Sequence, residues 1–203
     1  MTSAVAMPIL IDRSHPARAE AEALIAGVYA HEYGAQIVSF SDLIIALADA
    51  NGVLRAAAGL RIGGNFFSEV YLDRPIEDVL SDHWVPPATR TEIAEVTTLA
   101  AIHPNASYAL FSGIVGYLNA RNVRFAFFTV TERLHRLLVR AGIPAEKLAD
   151  AKAGSVHNAE EWGLYYATNP KVVAIHDAFV SMQATPVAEV ESTNHKNKAV
   201  DVA

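Results

Sequence analysis

The carboxylate best placed for a catalytic role in this sequence is Glu95, which lies in the middle of the apolar segment IAEVTTLA. Burial of a carboxylate is unfavourable by several kcal/mol unless the group is paired or used, so Glu95 is a candidate general base. The alternative is a structural carboxylate that pairs with Arg90, with Arg61 or with an otherwise unpaired backbone amide. Glu69, in the alternating segment SEVYLD, is a second candidate, as a base or as an anchor for an ammonium group. Its alternative is an exposed strand position.

The residue patterns of several common enzyme classes are missing. None of the eight histidines forms H-x-H or H-E-x-x-H, and the chain has no cysteine, so we expect no metal site and no thiol nucleophile. Ser112 lies in LFSGIVG rather than in G-x-S-x-G, which indicates a helix interior. The absence of G-x-G-x-x-G and G-K-[ST] excludes the dinucleotide and nucleoside-triphosphate classes.

Residues 90–142 are predicted to form a strand, a helix, a strand and a helix in this order. Glu95 lies in the first of these strands. Residues 123–130 form an apolar run, as is typical of a strand covered on both faces. The helix before this strand is predicted to begin with Asn105 as its N-cap. One face of that helix is apolar and consists of Leu110, Ile114, Tyr117 and Leu118. The pattern therefore predicts a βαβ unit.

The segments ahead of this unit predict a strand, a helix and a hairpin. Residues 9–11 are a candidate short strand, and Ser14 and Gly34 are placed to begin and end the helix that follows. Residues 42–48 and 53–62 are apolar runs joined by a turn that contains Asn-Gly, which favours an antiparallel pair.

The segments after the βαβ unit predict one more helix and a closing hairpin. Thr129 and Glu132 have capping-box spacing, and Gly142 can end the helix. Residues 162–167 and 171–178 are predicted to pair around Asn-Pro. The fold class is therefore α/β, in the form of an α+β mixed sheet. The sheet is expected to be mostly antiparallel around a central parallel βαβ unit and to carry helices on both faces.

Composition limits the class of protein. With 203 residues, 52% of them hydrophobic, the chain can bury one core, and we expect a single domain over residues 1–183 with a disordered tail at 184–203. A formal charge of −6 argues against nucleic-acid binding. We find neither a basic segment that would begin a signal peptide nor an apolar run long enough for a membrane span, so we expect a cytoplasmic protein.

Five blocks of the sequence resemble the thermostable hemolysin family, which is related to the GNAT-like N-acyltransferases and the acyl-homoserine-lactone synthases. Together they cover most of residues 30–178. In chain order they are YGAQIVSF, SEVYLDRPIEDVL, RTEIAEVTTLA, FTVTERL and WGLYYATNPKV, which begin at Tyr33, Ser68, Arg90, Phe128 and Trp162. The resemblance implies a GNAT-like acyltransferase fold and transfer of an acyl group from a thioester to an amine of a small molecule.

The resemblance also implies roles for individual residues. Aminolysis of a thioester needs a neutral amine, and Glu95 or Glu69 is the candidate base. Tyr165 or Tyr166 is the candidate proton donor to the departing thiolate. In the relatives, the strand that corresponds to the one with Glu95 and the strand that corresponds to Phe125 to Thr129 splay apart around the pantetheine arm. Residues expected to contact the substrate are Arg61, Tyr71, Arg90, Thr97, Thr98, Leu99, Phe128, Thr129, Thr131 and Trp162.

The donor side departs from the relatives. Many GNAT enzymes have a glycine-rich pyrophosphate loop where this chain has AAIHPNASYAL, which contains no glycine. Thr97-Thr98 replaces the Gly-Asn expected in the family, which puts in doubt any backbone contact that requires glycine. We therefore expect an acyl carrier protein to be a donor comparable to acyl-CoA, with no tightly bound cofactor. The donor-binding candidates are Ala100, Asn105, Ala106, Ser107, Arg133, Arg136 and Arg140.

Two other function classes stay open. The missing glycine loop favours a GNAT-shaped binding module without turnover. The family name suggests a membrane-active protein, although the sequence has no basic amphipathic helix. Arg133, Arg136 and Arg140 line one side of the last helix, as a solvated face or as a docking patch for an acidic carrier protein. The amine, the acyl length and the oligomeric state are left open by the sequence.

Overall fold

The computed structural model describes residues 8–140 and 142–176. Its strands in this part of the chain are β1 (Pro8–Ile11), β2 (Leu43–Ala48), β3 (Leu54–Ile62), β4 (Ile93–Ala101), β5 (Phe125–Val130), β6 (Glu146–Asp150) and β7 (Lys171–His176). Its α-helices are α1 (Arg18–Tyr33), α2 (Ile76–Ser81), α3 (Pro104–Asn119) and α4 (Glu132–Arg140). The strands form one sheet in the order β1-β2-β3-β4-β5-β7-β6, in which only β4 and β5 run parallel.

Helices cover both faces of the sheet. On one face α1 packs Ile25 over β2 and β3, and α2 packs Ile76 and Leu80 against β5. On the other face α3 and α4 form a single cluster with the sheet, in which Leu110 and Leu138 are buried. The predicted fold class, a mixed sheet around a parallel βαβ unit with helices on both faces, is confirmed.

The first strand, the first helix and the hairpin are present as predicted, with one correction. Strands β2 and β3 form an antiparallel pair, and Gly52 supplies the positive φ of +79° in the turn. Gly34 ends α1 in the left-handed conformation. Ser14 as the helix N-cap was wrong, because Ala17 holds that position. The Ser14 hydroxyl donates instead to the Asp12 carboxylate at 2.8 Å.

The βαβ unit is confirmed as β4, α3 and β5, but both predicted caps shift. His103, not Asn105, is the N-cap of α3, and the helix begins at Pro104, whose fixed φ suits a first turn. Thr129 lies inside β5, so it does not cap α4. The cap is Thr131, whose Oγ1 accepts a hydrogen bond from the Leu134 backbone N–H at 3.2 Å.

The predicted closing hairpin was wrong. Strand β7 pairs with β5 and with β6, and β6 is the polar segment EKLAD, which the apolar pattern could not reveal. The segment 162–167 forms parts of two short 3-10 helices instead of a strand. Its aromatic residues do not alternate across a sheet, because Trp162 and Tyr165 pack against Tyr29 of α1. The end of the predicted hairpin at residue 178 and the boundary at 183/184 lie outside the described residues.

Candidate active site

A gap opens between the two parallel strands at the centre of the sheet. Their pairing runs from Ile93 with Phe125 to Val96 with Phe128 and then stops, although β4 continues to Ala101. At the same level β4 shifts its register against β3, and Thr98 has a φ of +46°. Because one extra residue in a strand bends it away from its neighbour, this bulge separates the strands beyond Val96. The gap agrees with the splay that the family resemblance implies.

The gap holds a cavity of about 220 Å³, the splay cavity. Its walls come from α1, β4, α3, β5 and α4. Besides Tyr165, its lining residues include seven predicted site residues: Thr98, Leu99, Ser107, Phe128, Thr129, Thr131 and Arg133. Tyr29 and Tyr33 line it as well, beside Tyr165. The bulge therefore brings residues from distant blocks of the sequence around one opening.

A second cavity, the apolar cavity, continues from the splay cavity between α3 and α4. Its volume is about 320 Å³, and its walls are mainly hydrophobic, with Tyr108, Phe111 and Leu138 among them. The two cavities share Leu99, Ser107, Phe128, Leu134 and Leu137. An apolar space that opens on the gap can hold a hydrocarbon chain away from water.

A third cavity, the Arg61 cavity, lies on the other side of the bulge and has a volume of about 130 Å³. Thr98 lines both this cavity and the splay cavity. The walls also include Arg61, Ser41, Thr97, Glu161, Phe67 and Trp162. A polar molecule in the Arg61 cavity and a group in the splay cavity can therefore approach each other at Thr98.

Glu95 is fully buried beneath this region, with an exposed fraction of 0%. The Phe67 N–H donates to Oε2 at 2.8 Å and the Ser68 N–H donates to Oε1 at 2.6 Å. Arg61 Nη1 lies 3.5 Å from Oε2. Glu95 is not part of the walls of the three cavities. These contacts fit the structural alternative, in which Glu95 fixes the segment at Phe67, and its role as general base stays a prediction.

Glu69 lies in a 3-10 helix over Ser68–Tyr71, so the expected strand for SEVYLD was wrong. Its carboxylate accepts two hydrogen bonds from Arg90 at 2.7 and 2.5 Å and one from the Ile76 N–H at 3.0 Å. The hydrogen bond to Arg90 holds the pKa of Glu69 below its ordinary value, and the same contact raises the pKa of Arg90. Arg90 also binds Glu77 at 2.8 Å, so it does not pair with Glu95. The predicted functions of Glu69 and Arg90 stay predictions.

The two candidate tyrosines lie in different surroundings. Tyr165 lines the splay cavity, and its hydroxyl lies 3.4 Å from the Thr129 carbonyl oxygen. Burial raises the pKa of Tyr165 well above its ordinary value, so its hydroxyl is protonated at neutral pH. The Tyr166 hydroxyl is hydrogen-bonded to Tyr71 at 2.7 Å, and burial raises its pKa also. Of the two candidates, Tyr165 is therefore the one that lies at the gap.

The matching segment of the chain decides the family. A family model described as thermostable hemolysin matches residues 11–179. The chain belongs to the thermostable hemolysin family. Among proteins with curated descriptions, no match to this thermostable hemolysin family member is found.

Solved structures with a similar fold include acyl-homoserine lactone synthases and an N-acyl amino acid synthase. BjaI, described as a CoA-dependent acyl-homoserine lactone synthase with SAM and isopentyl-CoA, has a TM-score of 0.57 and 10% identity over 91% of this chain and 93% of its own. FeeM, an N-acyl amino acid synthase from uncultured soil microbes, has a TM-score of 0.55 and 15% identity over 85% and 91%. LasI, an acyl-homoserine-lactone synthase, has a TM-score of 0.53 and 12% identity over 85% and 91%. These likenesses show that this hemolysin family member has the GNAT-like fold.

The residues predicted to bind the donor divide into two groups. Asn105 and Ser107 line the apolar cavity. Ala100 is only 1% exposed and packs in the cluster beneath α1, and Ala106 packs against the opposite core. Of these four residues, only Asn105 and Ser107 therefore reach a cavity, while Ala100 and Ala106 pack into the core.

The three arginines of α4 are all exposed, but they have different neighbours. Arg133 lines the splay cavity and Arg140 lines the apolar cavity. Arg136 lies 3.8 Å from Glu132, a weak exposed ion pair. Arg133 and Arg140 therefore place positive charge on the α4 side of these two cavities, and Arg136 lines neither of them.

Several residues of the site were missed by the sequence analysis. The Ser41 hydroxyl is hydrogen-bonded to Thr97 at 3.0 Å, and the Ser68 hydroxyl is hydrogen-bonded to Thr129 at 3.0 Å. Gly59 leaves room for the first pair, since a Cβ there would lie 2.3 Å from the Thr97 Oγ1. Ser68 and Thr129 each lie inside a block that resembles the family, but nothing in the sequence indicates that they pair.

Two further features bear on the class of protein, a metal-ion site and a membrane-spanning helix. Among the described residues no group of three or more His, Asp or Glu side chains is placed to hold a metal ion. Within residues 8–140 and 142–176, every helix is too short or too polar to cross a lipid bilayer.

Proposed function

We propose that this protein is an N-acyltransferase that moves an acyl group from a thioester donor to the amine of a small molecule. The observation that carries the proposal is the interrupted pairing of β4 and β5 after Val96 and Phe128, which opens the splay cavity. The apolar cavity continues from one side of this opening, and the Arg61 cavity meets it at Thr98. An acyl chain and a polar amine can thus be bound on opposite sides of one gap.

All the bonds that form and break in the reaction belong to the two substrates. The amine nitrogen attacks the thioester carbonyl carbon, a C–N bond forms and the C–S bond breaks. The nitrogen loses one proton and the thiolate gains one, so the products are an amide and a free thiol. Holding the two reactants together in one cavity accelerates such a step, because the loss of translational freedom occurs on binding.

Tyr165 is the group we assign to the departing thiolate. It lines the splay cavity and stays protonated because burial raises its pKa. Its hydroxyl can therefore donate a hydrogen bond to the sulfur as negative charge develops there. Glu95 acts as a positioning residue in this account, since its carboxylate accepts hydrogen bonds from the N–H groups of Phe67, which lines the Arg61 cavity, and of Ser68.

The donor is an acyl carrier protein or acyl-CoA. The neighbours support a thioester donor, since the BjaI structure is described with isopentyl-CoA. We propose that a carrier protein is used at least as well as coenzyme A. The sequence AAIHPNASYAL has no glycine to wrap a diphosphate, while Arg133, Arg136 and Arg140 offer charge for an acidic protein surface.

The test is thiol release from medium and long acyl-CoA and acyl-carrier donors, with and without amino acids or polyamines. We expect thiol release that depends on the amine. The same rate without amine would mean hydrolysis and would contradict a transferase. Leakage of dye from liposomes, measured in parallel, tests the membrane-active alternative. If neither thiol release nor leakage occurs with any partner, the non-catalytic binding module replaces the proposal.

A further inference from the structure

The Arg61 cavity contains a guanidinium group with spare hydrogen-bonding capacity. Arg61 lies on β3, and its side chain is 34% exposed. Within the described residues its ionic contact is to Glu95 Oε2, at 3.5 Å. A guanidinium has five N–H donors in a planar fork that matches a carboxylate. Arg61 therefore keeps donors available on the cavity side.

Glu95 does not remove this capacity. Each of its oxygens already accepts a short backbone hydrogen bond, from Phe67 at 2.8 Å and from Ser68 at 2.6 Å. Both carboxylate oxygens are therefore hydrogen-bonded without the help of Arg61. The long contact with Arg61 leaves the guanidinium able to bind a second anion on its exposed edge.

The lining of the Arg61 cavity also carries a negative charge and an aromatic surface. Glu161 lines the cavity, and Asn158 donates a hydrogen bond to its Oε2. Beside Glu161, the Trp162 ring stacks on Phe67 with centroids 5.8 Å apart and planes at 24°. The cavity thus offers a cation for a carboxylate, an anion for an ammonium group and a flat wall for an apolar side chain.

We infer that the amine acceptor is a small α-amino acid, whose carboxylate is bound by Arg61 and whose ammonium group faces Glu161 until it gives one proton to solvent water and becomes the neutral nucleophile. This assignment rests on the proposed acyl transfer and names the class of acceptor. The volume of about 130 Å³ limits the acceptor to a small molecule. Thr98, which lines both cavities, is the place where the amino nitrogen meets the thioester.

Three acceptors that differ at one group separate the carboxylate from the amine. L-valine, L-valinamide and isobutylamine share the same side chain, and only valine has a carboxylate. The amino pKa of valinamide is near that of an α-amino group, about 8, so a larger fraction of valinamide than of the other two acceptors is neutral at pH 7. The reactivity of the free amine alone would therefore favour valinamide. We expect the kcat/KM for acylation of valine to exceed that of both analogues by at least about tenfold, as a charge-assisted bidentate contact provides.

Binding can be measured without any thioester. The chain has two tryptophans, so Trp84→Phe leaves Trp162, in the cavity wall, as the only one. We expect valine to change the fluorescence of Trp162 in a saturable way, with an affinity at least about tenfold above that for isobutylamine. Binding of valine without any acyl transfer would retain the carboxylate site and reject the proposed function.

The charge itself is tested with Arg61→Met and Arg61→Lys. Arg61→Met should abolish the preference for valine over isobutylamine, and Arg61→Lys should retain charge beside Glu95 while losing the bidentate fork. Arg55→Met, on the same strand and paired with Asp49, is the matched control and should keep the preference. Thermal unfolding of each variant shows whether it is folded at the assay temperature.

Equal acylation and equal binding of valine and isobutylamine in the unmodified protein would overturn the inference while leaving acyl transfer intact. A preference for valine that survives in folded Arg61→Lys and Arg61→Met would also overturn it, because the carboxylate would then be bound elsewhere.

Discussion

Arg61 and Glu95 lie directly opposite each other on β3 and β4, with the guanidinium Nη1 3.5 Å from the carboxylate Oε2. Arg61 belongs to the wall of the Arg61 cavity, and Glu95 is buried behind it. Glu95 also accepts hydrogen bonds from the N–H groups of Phe67 and Ser68. One carboxylate therefore fixes a strand, an arginine and the loop segment that borders the proposed acceptor.

The first prediction concerns Glu95→Gln. A glutamine keeps one oxygen, so the N–H of either Phe67 or Ser68 would face an amide NH₂ group. We expect the free energy of unfolding to fall by about 1–3 kcal/mol, the usual penalty for an unsatisfied buried donor. For a positioning residue, kcat of the folded variant should fall by less than about tenfold. Urea unfolding and steady-state rates measure the two effects.

The opposite pattern would support the prediction that Glu95 is a general base. Unchanged stability together with a loss of kcat of about 10² or more would show that Glu95 takes part in proton transfer. Glu160→Gln, at an exposed position, is the control for the loss of a negative charge.

The second prediction is a dependence of stability on pH through Glu69. Its hydrogen bond to Arg90 lowers its pKa in the folded protein below the ordinary 4.5. Below that ordinary value the unfolded state binds more protons than the folded state, so stability falls as pH falls through the folded pKa. The contribution is complete above about pH 5. We expect Glu69→Gln to be less stable at pH 7 and to lose less stability between pH 5 and pH 3.

Urea unfolding at pH 7, 5, 4 and 3 tests this prediction. The difference between the unmodified protein and Glu69→Gln should shrink as the pH falls. A difference that stays constant over this range would show that the ion pair with Arg90 contributes nothing that depends on protonation.

The fold was largely predictable, because periodic apolar patterns determine it. The hairpin β2–β3 and the buried β4 were predicted, and Arg61 was among the predicted partners of Glu95. A backbone amide was also among the expected partners. The sequence could not indicate that the amides are those of Phe67 and Ser68, since backbone groups of an irregular segment carry no sequence signal. The bulge was missed for a related reason: Thr98 adopts a φ of +46°, which a β-branched residue rarely does.

Aromatic residues explain why a strand was wrongly predicted at residues 162–167. Trp162, Tyr165 and Tyr166 fit a strand by propensity, but they pack around α1 and the gap. Gly163 permits this path, since a Cβ there would lie 2.2 Å from the Tyr33 carbonyl oxygen. Tertiary contacts outweigh strand propensity in this segment.

The third prediction concerns the length of the acyl chain. Leu137 lines both the splay and the apolar cavity and is 41% exposed, so it can be enlarged without overpacking a closed core. We expect Leu137→Trp to lower kcat/KM for long acyl donors by about tenfold or more and to leave short donors nearly unchanged. Val139→Trp, on the same helix and 58% exposed, is the control. Equal effects of Leu137→Trp on all chain lengths would place the acyl chain elsewhere.

The fourth prediction concerns the donor. Reversing the charge of Arg136 and Arg140 to Glu should raise the KM for an acyl carrier protein and leave a short pantetheine thioester nearly unaffected. The KM for the carrier should also rise with salt in the unmodified protein, because the Debye length shortens. Arg13→Glu, at an exposed position near α1, is the control. A clear preference of the unmodified protein for acyl-CoA would contradict carrier docking.

The central claim is that donor and acceptor react with each other at the gap between β4 and β5. The most direct measurement uses an acyl thioester labelled with ¹³C in the acyl carbonyl and an amino acid labelled with ¹⁵N, followed by mass spectrometry of the products. The account predicts one amide that carries both labels, formed in the same amount as the released thiol. Labelled free acid with unchanged ¹⁵N amino acid, or no product at all, would contradict it.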